Sequence, residues 1–133
     1  MTRYLTTTLI LFAVCFAAGI GTLIVTSLPN YRGFLIGWVL ATLANLGLVV
    51  AVGYALFSKR FDKGARTHAQ LLVAFIVGLI GTASWASWVL AAWEEYQAQQ
   101  ALPIINIAGL PSLPCTIIVV VILATAACRA RQR

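Results

Sequence analysis

The sequence predicts an all-α membrane protein, a four-helix transmembrane bundle whose N-terminus and C-terminus both lie on the cytoplasmic side. Three observations predict it. The chain of 133 residues is 62% hydrophobic and 9% charged, with a mean hydropathy of +0.97. It contains four long runs free of Asp, Glu, Lys, Arg and His. Its cationic residues sort onto one side of the topology that those runs impose. A soluble domain carries about 25% charged residues, and a water-soluble fold of this length could not hide so much apolar surface. Lipid must cover it.

The whole chain, residues 1–133, reads as a single four-span membrane domain with spans at about 5–28, 33–57, 69–93 and 112–128. The first three runs hold 24, 25 and 25 residues. At about 1.5 Å per residue each reaches about 36–38 Å, more than the hydrocarbon core of about 30 Å, so some tilt is expected. The first run follows Arg3 and carries small residues at Ala17–Gly21. It is longer than the apolar core of a cleaved signal peptide, about 7–15 residues, and reads as a span. The second run follows the link Pro29-Asn30-Tyr31-Arg32. Proline stops the first helix there, and so short a link makes the first two spans antiparallel neighbours. A basic inner loop, Ser58–His68, leads to the third span, with a break at Lys63-Gly64. The fourth run, Ser112–Cys128, holds 17 residues. That is the lower limit for crossing, so it must stand upright, borrow from Ile104–Pro111 or thin the bilayer.

Residues 94–111 form the one sizeable non-spanning feature, an outer interfacial segment. Its polar start, Glu94 to Gln100, extends the third helix. Its apolar end, Pro103 to Pro111, is too short to cross, and lies at the interface or packs across the helix ends.

The net charge of +6 resembles a nucleic-acid signature until it is placed on this topology. With the N-terminus inside, the cytoplasmic segments hold Arg3, Lys59, Arg60, Lys63, Arg66, Arg129, Arg131 and Arg133 against Asp62, a net +7. The outer segments hold Arg32 against Glu94 and Glu95, a net −1. This is the positive-inside pattern. The inner-loop and C-terminal cations, Lys59, Arg60, Lys63, Arg66, Arg129, Arg131 and Arg133, are expected to contact anionic lipid. No interleaving of aromatic and basic residues supports nucleic-acid binding. Trp38, Trp88, Trp93 and Tyr96 fall near the outer boundary, and Tyr4, Tyr54, Phe57 and Phe61 near the inner one, as amphipathic rings prefer.

No Asp, Glu, Lys, Arg or His lies within the four runs. Intramembrane ionisable residues are the usual mark of coupled transport, so their absence argues against it. Asn45 is the most polar side chain deep in a span, and its amide must find a partner, expected on a neighbouring helix. The alternative is that Asn45, with Thr82, Ser84 and Ser87, lines a polar path through a small oligomeric channel or transporter. Gly78, Thr82 and Ala86 recur at a spacing of four, as do Ala17 and Gly21, and Gly37 with Ala41. Such rows let helices approach closely, within the bundle or in an oligomer. Thr6-Thr7-Thr8 opens the first helix, where hydroxyls can bond nearby carbonyls.

Cys15, Cys115 and Cys128 lie at different depths, so no disulfide is expected. Cys128 precedes Arg129-Ala130-Arg131, a juxtamembrane setting that suits lipidation by palmitate. His68 stands alone, so no metal site or catalytic dyad assembles, and no cofactor is implied. The stretch Val52 to Lys59 matches a loose cholesterol-contact pattern, which coincidence explains as well.

Four spans filling the chain, both ends inside, a tiny first outer loop and a basic inner loop resemble the MARVEL-domain tetraspan proteins. Leu71–Trp93, with Trp85, Trp88 and Ala91-Ala92-Trp93, is similar to the third helix of some fungal members. The resemblance implies membrane organisation, vesicle traffic or membrane apposition without enzymatic activity, and it carries over no functional residues. The expected function is therefore that of a non-enzymatic, multi-pass protein of the plasma membrane or another cellular membrane. It would act by lateral association with lipid, other membrane proteins or copies of itself, as an organiser or a small accessory subunit.

Overall fold

A computed structural model of the chain describes residues 2–25, 32–61, 64–98 and 106–131. Pro29-Asn30-Tyr31, Asp62, Lys63, the 99–105 part of the outer segment and Arg133 lie outside the described residues. Four α-helices account for most of the rest: α1 Thr2–Val25, α2 Arg32–Phe57, α3 Ala65–Ala98 and α4 Ser112–Arg131, with a 3₁₀ turn at Ile107–Gly109 leading into α4. There is no strand among the described residues. All four helices are long and apolar enough to cross a membrane. Hydrocarbon offers no partner for an open backbone N–H or C=O, so a chain of this composition closes its hydrogen bonds within helices.

The helices run past the uncharged stretches. α1 begins before Arg3, α3 takes in Arg66 and His68 and continues through Glu94 and Glu95, and α4 carries on through Arg129. Charge stops a segment from entering hydrocarbon but does not stop helix propagation, so the uncharged runs mark membrane depth rather than helix length. With 34 residues α3 is about 51 Å long and reaches beyond both headgroup layers. α4, at 20 residues, is about 30 Å long, and the apolar stretch able to cross a membrane takes in the turn before it, running over Ile107–Arg129. Gly64 starts α3, its carbonyl accepting the His68 amide at 2.9 Å.

Neighbouring helices are antiparallel, and a ladder of contacts fixes their register. At one end Tyr4 Oη donates to the Ala51 carbonyl at 2.7 Å, and the rings of Tyr4, Tyr54 and Phe61 gather with centroids 5.0–6.2 Å apart. There too Arg129 Nη1 donates to Gln70 Oε1 at 3.3 Å, tying α4 to α3. The core beside this end is filled by Leu5, Val52, Leu71, Val119 and Leu123, each 2% exposed or less. Toward the other end the rings of Phe12, Phe16, Trp85, Trp38 and Trp88 form a continuous stack linking α1, α3 and α2, with successive centroids 5.1–5.7 Å apart. Trp38 and Trp88 thus bind α2 and α3 together. Ile24, Phe57, Leu90 and Leu110 point outward, as residues solvated by lipid do.

Lipid tails are as apolar as leucine, so burial alone does not drive helices together, and close packing must. The closest approach joins α1 to α2 at Gly19 and Gly37. A Cβ added to Gly19 would fall 3.0 Å from the Ala41 amide nitrogen and 3.1 Å from the Gly37 carbonyl oxygen. Both are backbone atoms that cannot step aside. The row Ala17 and Gly21 lies away from this contact with α2. Ala17 is exposed, and a Cβ at Gly21 would touch nothing within 4 Å. The contact stripe passes through Gly19, because α2 crosses a face of α1 that the four-residue spacing alone does not single out.

Replacing Gly19 by Val is expected to destabilise the bundle by about 1–3 kcal/mol through overpacking, read as a loss of thermal stability in detergent micelles. Gly21→Ala is expected to leave the midpoint unchanged or raise it slightly.

Candidate functional site

Three of the buried polar side chains, Asn45, Ser112 and Thr116, lie along one seam. Asn45 is 5% exposed near the middle of α2. Its Nδ2 donates to the Ala41 carbonyl at 2.8 Å, one turn back on its own helix. Its Oδ1 lies 3.0 Å from the Thr116 hydroxyl of α4. That hydroxyl accepts from Trp85 Nε1 of α3 at 2.9 Å. It also lies 3.0 Å from the Ser112 carbonyl, so its single proton serves either Asn45 or Ser112 at one moment. Three helices therefore meet at one hydroxyl, in a setting where no water could take the place of a lost partner.

The seam continues toward the outer turn. Trp88 Nε1 points between the Gly109 carbonyl at 3.0 Å and Ser112 Oγ at 3.3 Å. Ser112 Oγ itself donates to the Gly109 carbonyl at 2.7 Å. Asn106 caps the 3₁₀ turn, its Oδ1 accepting the Gly109 amide at 3.1 Å, while its Nδ2 donates to Ser87 Oγ at 3.2 Å. Ser87 donates in turn to the Ser84 carbonyl. A Cβ at Gly109 would fall 2.4 Å from Trp88 Nε1, so only glycine lets the indole lie against this turn. The described part of the apolar outer segment thus packs against Ser87 and Trp88 of α3, well before that helix ends.

This arrangement separates residues grouped as a polar path. Thr82 returns its hydroxyl to the Gly78 carbonyl, Ser87 is held by Ser84 and Asn106, and Asn45 by Thr116 and Ala41. Asn45, Thr82, Ser84 and Ser87 line neither the groove between α1 and α4 nor the cavity between α1 and α2. The groove between α1 and α4 is apolar, measures about 810 Å³ and is lined by Ala17 among others. The row Gly78, Thr82 and Ala86 lies along α3. Gly78 is buried, with a Cβ there falling 2.7 Å from Val49 of α2, while Thr82 and Ala86 are half-buried.

Lys59, Arg60 and Arg66 are exposed at the loop end of the bundle, and Arg129 is half-buried against Gln70. α4 includes Arg131 in its last turn. Lys63 and Arg133 lie outside the described residues. The three thiols are free, Cys15 and Cys128 exposed and Cys115 half-buried. No group of three His, Cys, Asp or Glu side chains assembles among the described residues. Within the loose cholesterol pattern Val52 faces the core at 1% exposure while Tyr54 faces out, so the pattern does not form one lipid face.

Sequence reasoning passed over Thr116, Ser112 and Asn106. One signal pointed to them. Trp85 sits eight residues before Trp93, about 12 Å deeper by helical rise. An indole N–H that far from the interface needs an acceptor, and in α4 the hydroxyls Ser112 and Thr116 stand one turn apart.

Compared with family models, with curated proteins and with solved structures, the chain matches none.

In lipid, hydrogen bonds between helices contribute about 0.6 kcal/mol on average and up to about 1.7. A double-mutant cycle of Asn45→Leu and Thr116→Val, followed by unfolding in mixed micelles, is expected to give a coupling energy in that range. Thr116→Val alone should cost more than Asn45→Leu alone, because it orphans both Trp85 Nε1 and Asn45 Oδ1.

Proposed function

We propose that this chain is a non-enzymatic, multi-pass membrane protein that acts by lateral association, organising its surrounding lipid or serving as a small accessory subunit of a membrane complex. The observation that carries this reading is the division of polarity. The Asn45–Thr116–Trp85 junction turns polar groups inward and satisfies them there. Ile10, Leu43, Leu79 and Val121, one from each helix, are among the large apolar side chains that face outward. A surface of that kind engages lipid and other helices, and the groove between α1 and α4 adds a concave feature to it. The architectural resemblance to MARVEL-domain tetraspan proteins agrees with this function. The cations Lys59, Arg60, Arg66 and Arg129 cluster at one end of the bundle, where they would meet anionic headgroups of the cytoplasmic leaflet.

Purification in a gentle detergent followed by mass measurement tests the reading. The expected particle exceeds the 14.3 kDa of one chain by whole copies or by a second membrane protein. A strictly monomeric, partner-free particle speaks against it, and so does solute flux in liposomes that disappears in Asn45→Leu. Single cysteines placed at Lys59 and at Arg131 in a background lacking native cysteines should react from the same side of sealed vesicles, the side of the cytoplasm.

A further inference from the structure

Of the four antiparallel helix pairs, α1 and α4 make the least extensive interface. Between them runs the groove of about 810 Å³. Its walls are Leu9, Ala13 and Ala17 on one side and Ile117, Val121 and Ala124 on the other. It extends from Leu113 to Cys128 along α4, about 22 Å by helical rise, which exceeds one leaflet's share of the hydrocarbon core, about 15 Å.

At the end nearest Cys128 the groove changes character. It merges through Thr6, Ala127 and Cys128 into a second cavity of about 590 Å³, whose remaining lining is Thr2, Arg3 and Thr7. Arg3 is exposed there, and no carboxylate of a described residue lines either cavity. Two hydroxyls at this mouth differ from those of most threonines in the bundle. Thr8, Thr22, Thr42, Thr82, Thr116 and Thr125 each point the hydroxyl at the carbonyl one turn back. Thr6 and Thr7 make no such bond to a described residue, which leaves two donors beside a guanidinium.

An apolar slot that ends in a cation and two free hydroxyls repeats the layout of a phospholipid. A partner helix fits less well. A helix about 10 Å across would fill about 1,700 Å³ over the same length, twice the space, and would bring nothing for Arg3. We propose that the groove between α1 and α4 holds one anionic phospholipid of the cytoplasmic leaflet. Its phosphate pairs with the Arg3 guanidinium and accepts from Thr6 and Thr7. One acyl chain runs along Ala13, Ala17 and Ala124. The inference rests on the membrane-organising function proposed above and names the lipid class that this function would gather.

Native mass spectrometry of the full chain, purified in a mild detergent doped with equal amounts of phosphatidylglycerol and phosphatidylcholine, tests it. One retained lipid is expected, with phosphatidylglycerol favoured. Arg3→Gln should lower that preference about fivefold, the effect of one cationic side chain near a charged surface. Ala124→Trp, which fills the slot from an exposed position, should abolish retention of both lipids while the helical content and thermal midpoint hold. Ala17→Phe, also exposed, repeats that arm from the opposite wall. Equal retention of the two lipids, or lipid adducts that survive the slot-filling substitutions, would overturn the proposal. So would a second protein chain whose binding, in place of lipid, is lost in Ala124→Trp. The same spectra report oligomeric mass, so loss of the lipid site and loss of lateral association are read separately.

Discussion

Hydrocarbon accepts no hydrogen bond, and this constraint governs every level of the molecule. It forces the backbone into helices and denies the helices any hydrophobic drive toward each other. It also makes each polar side chain at depth seek a partner within the protein. The Thr116 hydroxyl is where these demands meet. It receives the indole proton of Trp85, faces the Asn45 carbonyl oxygen and stays within reach of its own helix. One small side chain thereby holds α2, α3 and α4 in a common register.

Around that point two kinds of packing complete the bundle. Where side chains vanish, at Gly19 and Gly37, the backbones of α1 and α2 come together and dispersion acts over many atom pairs. Where side chains are large, the aromatic stack from Phe12 to Trp88 fills the space between α1, α2 and α3 and leaves both indole N–H groups aimed at α4 and its leading turn. The interface of α1 with α4 has neither a glycine contact nor an aromatic stack. It is also the least extensive of the four interfaces.

The functional reading follows from this asymmetry. The polar seam holds the bundle together and is closed on itself, whereas the parted α1–α4 face opens sideways to the surroundings. Thr116 belongs to both, since it also lines the floor of the groove. What occupies the groove therefore lies against the side chain on which the seam depends. A protein that works on its lateral environment would use such a face.

By itself the sequence determined that the chain is helical and that it has four helices able to cross a membrane. These follow from composition and local chemistry, because an uncharged apolar run in lipid has no alternative to a helix. It also singled out Asn45 as a side chain in need of a partner, since an amide at that depth is conspicuous. The tertiary structure alone decided which partner answers it and which small residues touch. Thr116 is one hydroxyl among many until α3 and α4 are placed, and Gly19 rather than Gly21 meets α2 because the crossing angle, a property of two helices at once, selects the face. The groove was illegible for the same reason: a gap belongs to neither of the helices that border it.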